Sequence, residues 1–508
     1  MRPLTEKLRG LVGNVVSGLG RRPDVAAGVA AGVLYLLLPA ALGLDYRLLA
    51  PKGPYQLMWL NLLGANYRLQ LETPKPLMVL LSGVLGSGTV FYAVSCAMIG
   101  LSIAALIRLG RSITGSHWPG LIAAVTVFAF RAGLMGWAFV GGTEPFHVAL
   151  VLSALVAFAG GRLRLATLII LAVCLLRPEA WPLAPIPLLW TLLAKRRFSP
   201  LSLLPFSAPL VWGVFDRAMT GDWLYSLHLT SYYRIASGIP VAAGNEFWTT
   251  LPAEMVDVAG AIPFLVGFVG LVVWVWRCAR PRPASEATDH QASARPAWLL
   301  ATVVSVALLL PLIASWVISQ FGHVVQMGRF QYPSAVLLVL LSTSVPFLLA
   351  SGRAPRWLVL ALGVSAAIAL STLDPKEFVR AIRIARRDKV RAAAYGPIAD
   401  TLQHLVADGA ADVTVVSARR LDYFAKLLGQ PYSWKLRSVR EVTYGTQSIP
   451  ATARSGALAF YDGDEINEPS TDSVISRILR AWPTKAVVRP VKLLPDGHGG
   501  LWTIKSVP

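Results

Sequence analysis

Apolar residues fall in long blocks along this chain, each closed by a short cluster of charged positions, and block length is what gives them meaning. A helix rising 1.5 Å per residue needs roughly 20 apolar residues to cross about 30 Å of hydrocarbon. Placed by length and by their charged ends, the blocks predict eleven spans at residues 25–44, 77–107, 118–140, 145–160, 164–176, 181–193, 200–216, 260–276, 297–318, 333–350 and 356–372. After Leu373 charge density rises and alternating short apolar runs replace the blocks. Strand-like runs at 413–417, 457–461 and 486–493 alternate there with helix-like runs at 376–406, 420–428 and 471–481. The expected fold class is therefore an α-helical polytopic membrane protein of about 11 transmembrane helices, residues 1–372, with a small C-terminal α/β soluble domain, residues 373–508.

The segments 164–176 and 181–193 are short for spans, and Arg177-Pro178-Glu179 separates them. If they formed one kinked helix, every later loop would change sides. Lys195-Arg196-Arg197 and the basic 277–295 segment would then face outward, against the preference of Lys and Arg for the cytoplasmic side. A hairpin of two short helices with its tip on the outer side keeps that preference. With the N-terminus cytoplasmic, 45–76, 217–259 and 319–332 face outward, and so does the C-terminal domain. The apolar run 25–44 is long for a secretory signal, so it reads as an uncleaved first span. The localisation expected is the cell membrane, multi-pass.

Composition agrees: 55% of the 508 residues are hydrophobic and 15% charged, a balance that requires lipid as solvent. The net charge of +20 does not point to nucleic acid, because the basic residues cluster in short loops, where they orient spans and meet anionic lipid headgroups. Cys96, Cys174 and Cys278 lie in or beside apolar blocks and read as small core residues, not as a disulfide framework. No internal repeat is evident.

Ionisable residues at the outer ends of spans are costly, and so each is a functional hypothesis. The first outer loop is the richest. Asp45 follows span one, Thr73-Pro74-Lys75-Pro76-Leu77 opens span two, and Tyr55 and Glu72 lie between them. Thr143-Glu144-Pro145 follows span three, Arg177-Pro178-Glu179 forms the hairpin tip, and Arg329-Phe330-Gln331-Tyr332-Pro333 leads into a late span. The loop 217–259 adds Asp222, Trp223, Tyr225 and His228, either a sugar-stacking set or an interfacial aromatic belt.

In the order and outward placement of these motifs the sequence resembles the GT-C superfamily of integral-membrane glycosyltransferases, particularly the dolichyl-phosphate-mannose and lipid A aminoarabinose transferase branch. The resemblance implies a mannosyltransferase-like enzyme that takes a hexosyl or pentosyl group from a polyprenyl-phosphate-sugar donor to a cell-envelope acceptor. It implies an acid after span one as catalytic base, matched by Asp45, and a Lys-Pro-Pro-like element at the donor phosphate, matched by Lys75-Pro76-Leu77. Arg329 matches the family's phosphate-approaching arginine. Asp45 lacks the neighbouring acid often seen, since Tyr46 follows it, and Lys75 is followed by one proline rather than two. The base assignment is therefore shared between Asp45 and Glu72.

The chemistry is consistent with those roles on its own terms. A sugar hydroxyl needs a carboxylate to accept its proton as the anomeric carbon is attacked. The departing polyprenyl phosphate gathers negative charge that Lys75, Arg329 and Arg177 would stabilise in a partly dry site. Glu144, Glu179, Tyr55, Tyr332 and His228 complete the expected substrate-binding set. One acid acting directly on the acceptor predicts inversion at the anomeric centre. No motif demands a cofactor, although carboxylates and phosphate oxygens would suit Mg²⁺ or Mn²⁺. Each assignment has a structural counterpart: Asp45 as the first solvated residue past a helix, Lys75 as a headgroup anchor, Arg177 and Glu179 as an ion pair bracing the hairpin. Two other classes remain open, an envelope polysaccharide polymerase or ligase and a lipid-linked-sugar transporter. A polymerase or ligase would be expected to place its chemistry in a large late outer loop, and a transporter to show paired halves with broken helices.

Overall fold

The computed structural model describes residues 22–41, 53–65, 74–86, 88–130, 142–194, 198–226, 228, 247–279, 297–320, 331–350, 355–373, 397–398, 400–404, 413–416, 436–438, 457–461, 486–493 and 500–506, with Leu227 excepted. The chain divides into two compact units that interleave in sequence: residues 1–43, 92–211 and 241–382, and residues 44–91, 212–240 and 383–508.

The first unit is helical. Its elements are α1 (Pro23–Ala41), α4 (Gly88–Thr114, entering at Tyr92), α5 (Trp118–Val125), α6 (Glu144–Ala159), α7 (Leu163–Leu176), α8 (Ile186–Leu193), α10 (Phe247–Ala259), α11 (Ala261–Ala279), α12 (Ala297–Gln320), α13 (Tyr332–Ala350) and α14 (Pro355–Leu370). Among the described residues four stretches are long and apolar enough to cross a membrane: Thr89–Thr114, Ala261–Ala279, Ala297–Val317 and Tyr332–Ala350. Shorter apolar helices accompany them, and together they make this a multi-pass membrane chain.

The core is built around α13, in which residues 333–344 are all buried. It packs on α5, α6, α10, α11, α12 and α14. The broadest helix–helix contact, with α11, depends on small residues, as expected where lipid removes most of the hydrophobic drive and close approach supplies the attraction. A β-carbon on Gly267 would come within 2.5 Å of the Leu338 carbonyl oxygen, and one on Gly270 within 2.6 Å of that of Leu341. Hydroxyls add polar ties at depth: Thr343 Oγ1 donates to the Pro119 carbonyl at 3.0 Å, and Ser365 Oγ to that of Thr343 at 2.9 Å. Arg277, in the last turn of α11, donates to the Leu348 carbonyl near the end of α13.

Proline and glycine set the departures from regular helix. The block 77–107 is not one helix, because Gly86, at φ +65°, ends α3 (Pro76–Leu85), and α4 begins afresh at Gly88. Residues 200–207 form a 3₁₀ stretch containing Pro205 before α9 (Ala208–Thr220). Helix α5 continues as a π-helical turn, Thr126–Phe130, which accepts the Tyr35 hydroxyl at the Phe128 carbonyl. The extension of that block to residue 140 lies outside the described residues.

In the second unit, α2 (Gly53–Leu62) packs on α3, with the Trp59 indole lying over Gly83. A five-stranded mixed sheet is built from β1 (Val413–Val416), β2 (Leu436–Ser438), β3 (Ala457–Tyr461), β4 (Ala486–Leu493) and β5 (Gly500–Ser506). Its strand order is β2-β1-β3-β5-β4. Strand β1 runs parallel to β2 and β3, while β5 is antiparallel to β3 and β4, with an irregularity between Pro490 and Lys492. The described positions between 397 and 404 are helical; the helix-like runs 420–428 and 471–481 lie outside the described residues.

Candidate active site

Arginine 177 is the most informative buried side chain. Pro178 forces the residue before it out of the helical region, so α7 ends at Leu176 and Arg177 takes an extended backbone (φ −148°, ψ 129°). A 3₁₀ turn, Pro178–Leu183, follows and folds back on α7: Trp181 Nε1 donates to the Cys174 carbonyl at 3.2 Å. That turn carries the guanidinium inward, where the side chain is only 2% exposed.

Two carboxylates meet it. Glu144 Oε1 lies 3.5 Å from Arg177 Nη1 with its side chain 3% exposed, and Glu179 Oε2 lies 3.6 Å from Arg177 Nε with its side chain 26% exposed. Glu144 opens α6, followed by Pro145, an arrangement that suits a helix start and places the acid at the positive end of the helix dipole. His147, one turn further on the same face of α6, is buried.

A narrow cavity runs past these groups, lined by His147 and Val151 of α6, Glu179, Ala180 and Leu183 of the 3₁₀ turn, Ala307 and Pro311 of α12, and Pro333 and Ser334 of α13. Its free space, ≈ 10 Å³, admits about one water. Pro311 has no N–H to offer the Ala307 carbonyl four residues back, which leaves an acceptor at the wall. The cavity sits where α6 and α13 begin and α7 ends, so these helix ends share one side of the bundle.

Polar atoms without partners gather here. Glu144 Oε2, Glu179 Oε2, His147 Nδ1 and Gln331 Oε1 are buried with no hydrogen-bond partner among the described residues. Gln331 reaches back with its amide, Nε2 donating to Ser315 Oγ of α12 at 2.8 Å. The Arg177 contacts at 3.5 and 3.6 Å exceed good hydrogen-bond length. Buried polar groups are nearly always satisfied, so these four atoms make the helix ends the candidate place for a polar partner.

The sequence motifs divide accordingly. Glu144, Arg177 and Glu179 converge. Tyr332 opens α13 half-buried, beside Gln331. Lys75 and Tyr55 meet in the second unit, the ammonium 5.7 Å from the ring centroid, with Lys75 half-buried at the start of α3. His228, exposed, pairs with Asp222 at 2.6 Å. Asp45, Glu72 and Arg329 lie outside the described residues. His147, Gln331 and Ser334 were not among the expected site residues; the spacing Glu144-x-x-His147, which stacks both on one helical face, was the available signal for the histidine.

Among the described residues no three His, Cys, Asp or Glu side chains form a group able to hold a metal ion. Glu144 and Glu179 already face a guanidinium, whose charge competes with a cation, so this pair does not suit Mg²⁺ or Mn²⁺.

No protein-family model matches the chain, and no curated protein does. Among solved structures it is similar to the Archaeoglobus fulgidus oligosaccharyltransferase tethered with an acceptor peptide containing the NVT sequon, with TM-score 0.47 and 12% identity over 93% of this chain and 70% of that one. It is similar also to the archaeal oligosaccharyltransferase AglB from Archaeoglobus fulgidus in complex with an inhibitory peptide and a dolichol-phosphate, with TM-score 0.46 and 11% identity over 87% of this chain and 70% of that one.

Proposed function

We propose that the chain is an inverting membrane glycosyltransferase that moves a hexosyl or pentosyl group from a polyprenyl-phosphate carrier to a cell-envelope acceptor at the outer face of the cytoplasmic membrane. The observation that carries this reading is Arg177, buried between Glu144 and Glu179 beside a cavity where His147 Nδ1 and Glu179 Oε2 have no hydrogen-bond partner among the described residues. A buried arginine is a strong anion site, because its fork matches phosphate oxygens and low polarity amplifies its charge.

In the reaction, the acceptor hydroxyl oxygen forms a bond to the anomeric carbon as the bond from that carbon to the phosphate oxygen breaks. The hydroxyl proton passes to a carboxylate, Asp45 or Glu72, and the electron pair leaves on the polyprenyl phosphate. Arg177 and Arg329 stabilise that departing charge, and Lys75 keeps the donor-phosphate role that the resemblance implies for it. Lys75 stands at the N-terminal end of α3, where the helix dipole adds to its own charge. Glu144, Glu179, Tyr332, Tyr55 and His228 contact substrate. The C-terminal domain is extracytoplasmic in this reading.

The test is transfer from a radiolabelled polyprenyl-phosphate sugar in membranes. Asp45→Asn or Glu72→Gln, whichever removes the base, is expected to lower turnover at least about 10²-fold. Wild-type turnover in both variants would remove the mechanism.

A further inference from the structure

The turn after α9 carries a second group of functional side chains. Asp216, in the last turns of α9 and buried, accepts hydrogen bonds from the Ser226 amide at 2.8 Å and the Ser226 hydroxyl at 2.7 Å. Asp222 accepts from the Leu224 amide at 2.9 Å through Oδ1, and its Oδ2 lies 2.6 Å from His228 Nδ1. Two carboxylates thus tie down this turn at Leu224, Ser226 and His228. With Nδ1 turned to Asp222, the imidazole presents Nε2 outward from a side chain that is 65% exposed.

Trp223 stands on the same turn, 51% exposed. Its Cε3–Cζ3 edge rests against Gly213 of α9, where a β-carbon would come within 3.3 Å of Cε3. The indole is therefore held at one edge by bare backbone while much of the ring stays open. An open aromatic ring flanked by a fixed carboxylate and a fixed imidazole suits a saccharide. The ring accepts the apolar C–H face of the sugar, and planar polar groups bond adjacent hydroxyls.

We propose that Asp222, Trp223 and His228 form a saccharide-binding subsite for the acceptor, which makes the acceptor a glycan or glycan-bearing lipid rather than a bare polypeptide. This rests on the glycosyltransferase reading and narrows it. Acceptor hydroxyls donate to the remaining lone pairs of Asp222 and to His228 Nε2, and the ring stacks on Trp223.

The experiment uses the full chain in lipid nanodiscs and saturation-transfer NMR with three soluble probes: methyl α-mannopyranoside, methyl α-arabinofuranoside and methyl β-glucopyranoside. At least one is expected to bind, to lose about tenfold in apparent affinity in Trp223→Ala, and to recover in Trp223→Tyr, which restores an aromatic face. His228→Ala is expected to weaken binding as well. Gly363→Ala, in open space on α14 and outside the proposed machinery, should leave it unchanged. Failure of all three probes to bind the parent protein overturns the proposal. So does binding untouched by both Trp223→Ala and His228→Ala, which would leave Trp223 as an interfacial anchor. Binding of a polyprenyl phosphate by the same preparations separates the two readings. Its absence beside intact glycoside binding removes the donor assignment alone.

Discussion

Replacing Arg177 by Met keeps an unbranched stem and removes the guanidinium, and the structure allows its two consequences to be separated. Glu144 is 3% exposed and 3.5 Å from the guanidinium. Deleting one partner of such a pair strands a buried charge and costs about 3–5 kcal/mol. Glu179, 26% exposed, can turn toward solvent and adds little to that figure. The contacts of 3.5 and 3.6 Å are too long to be strong hydrogen bonds, so the pair contributes mainly charge compensation. Removing both charges in Arg177→Met with Glu144→Gln is therefore expected to restore stability to within about 1 kcal/mol of the parent. Activity follows a different rule. An arginine that stabilises a departing phosphate contributes about 3–4 kcal/mol to the transition state, or about 10²–10³-fold in turnover. The single variant should thus unfold early and react slowly, whereas the double variant should be stable and still slow. Thermal unfolding in detergent, followed by tryptophan fluorescence, reads the first quantity, and sugar transfer from a polyprenyl phosphate reads the second. A double variant that regains both would show that Arg177 only braces the helix ends, and the phosphate role would be lost.

The helix core, the cavity and the acidic turn each give a further expectation. Gly267→Leu must push α11 from α13, because its β-carbon would sit 2.5 Å from the Leu338 carbonyl; a loss of about 1–3 kcal/mol is expected in the same unfolding assay. Gly363→Ala, with open space around the added carbon, should be neutral or slightly stabilising, and equal losses in both variants would refute the packing argument. His147→Leu replaces a buried imidazole whose Nδ1 has no partner among the described residues, so it should leave stability unchanged or raised while turnover falls. Unchanged turnover would remove the histidine from the site. Hydrogen bonds from the Leu224 amide and from His228 hold the Asp222 carboxyl below the usual carboxylate range. A lowered folded value means the turn gains stability above the ordinary carboxylate pKa, about 3.9, and loses it as pH falls through the folded value. Leu224 amide protection should therefore fall in Asp222→Asn at neutral pH and converge with the parent in strong acid. Protection that is equal at both pH values would contradict the assignment.

Much of the helical layout was legible because lipid imposes a length. The blocks 145–160, 297–318, 333–350 and 356–372 match α6, α12, α13 and α14 to within two residues at each end. The break at Gly86 was not legible, because Gly-Ser-Gly inside an apolar run does not announce a helix end until its φ is known. Strands β3 and β4 were read at their full extent, while β2 and β5 were missed. Three residues are too few for β2 to show alternation, and β5 is ordered as a strand by its place between β3 and β4. In the candidate site, Glu144, Arg177 and Glu179 each stood out as charges at the ends of apolar blocks. The Arg177–Glu179 ion pair was one of the two readings of the hairpin tip, but the approach of Glu144 was not legible, since a whole helical hairpin separates it from Arg177.

What the sequence determined by itself was the solvent this chain needs and the class of residue that is expensive in it. Long apolar blocks must lie in lipid, and each charge placed against them requires a partner or a purpose. Which charges become partners was decided only in three dimensions. Pro178 turns one arginine inward, α6 brings its first acid alongside, and α12 and α13 close a wall that no local pattern describes. Local physics fixes where a helix starts, ends and dissolves. Electrostatic pairing depends on distance through space, which a linear pattern does not carry.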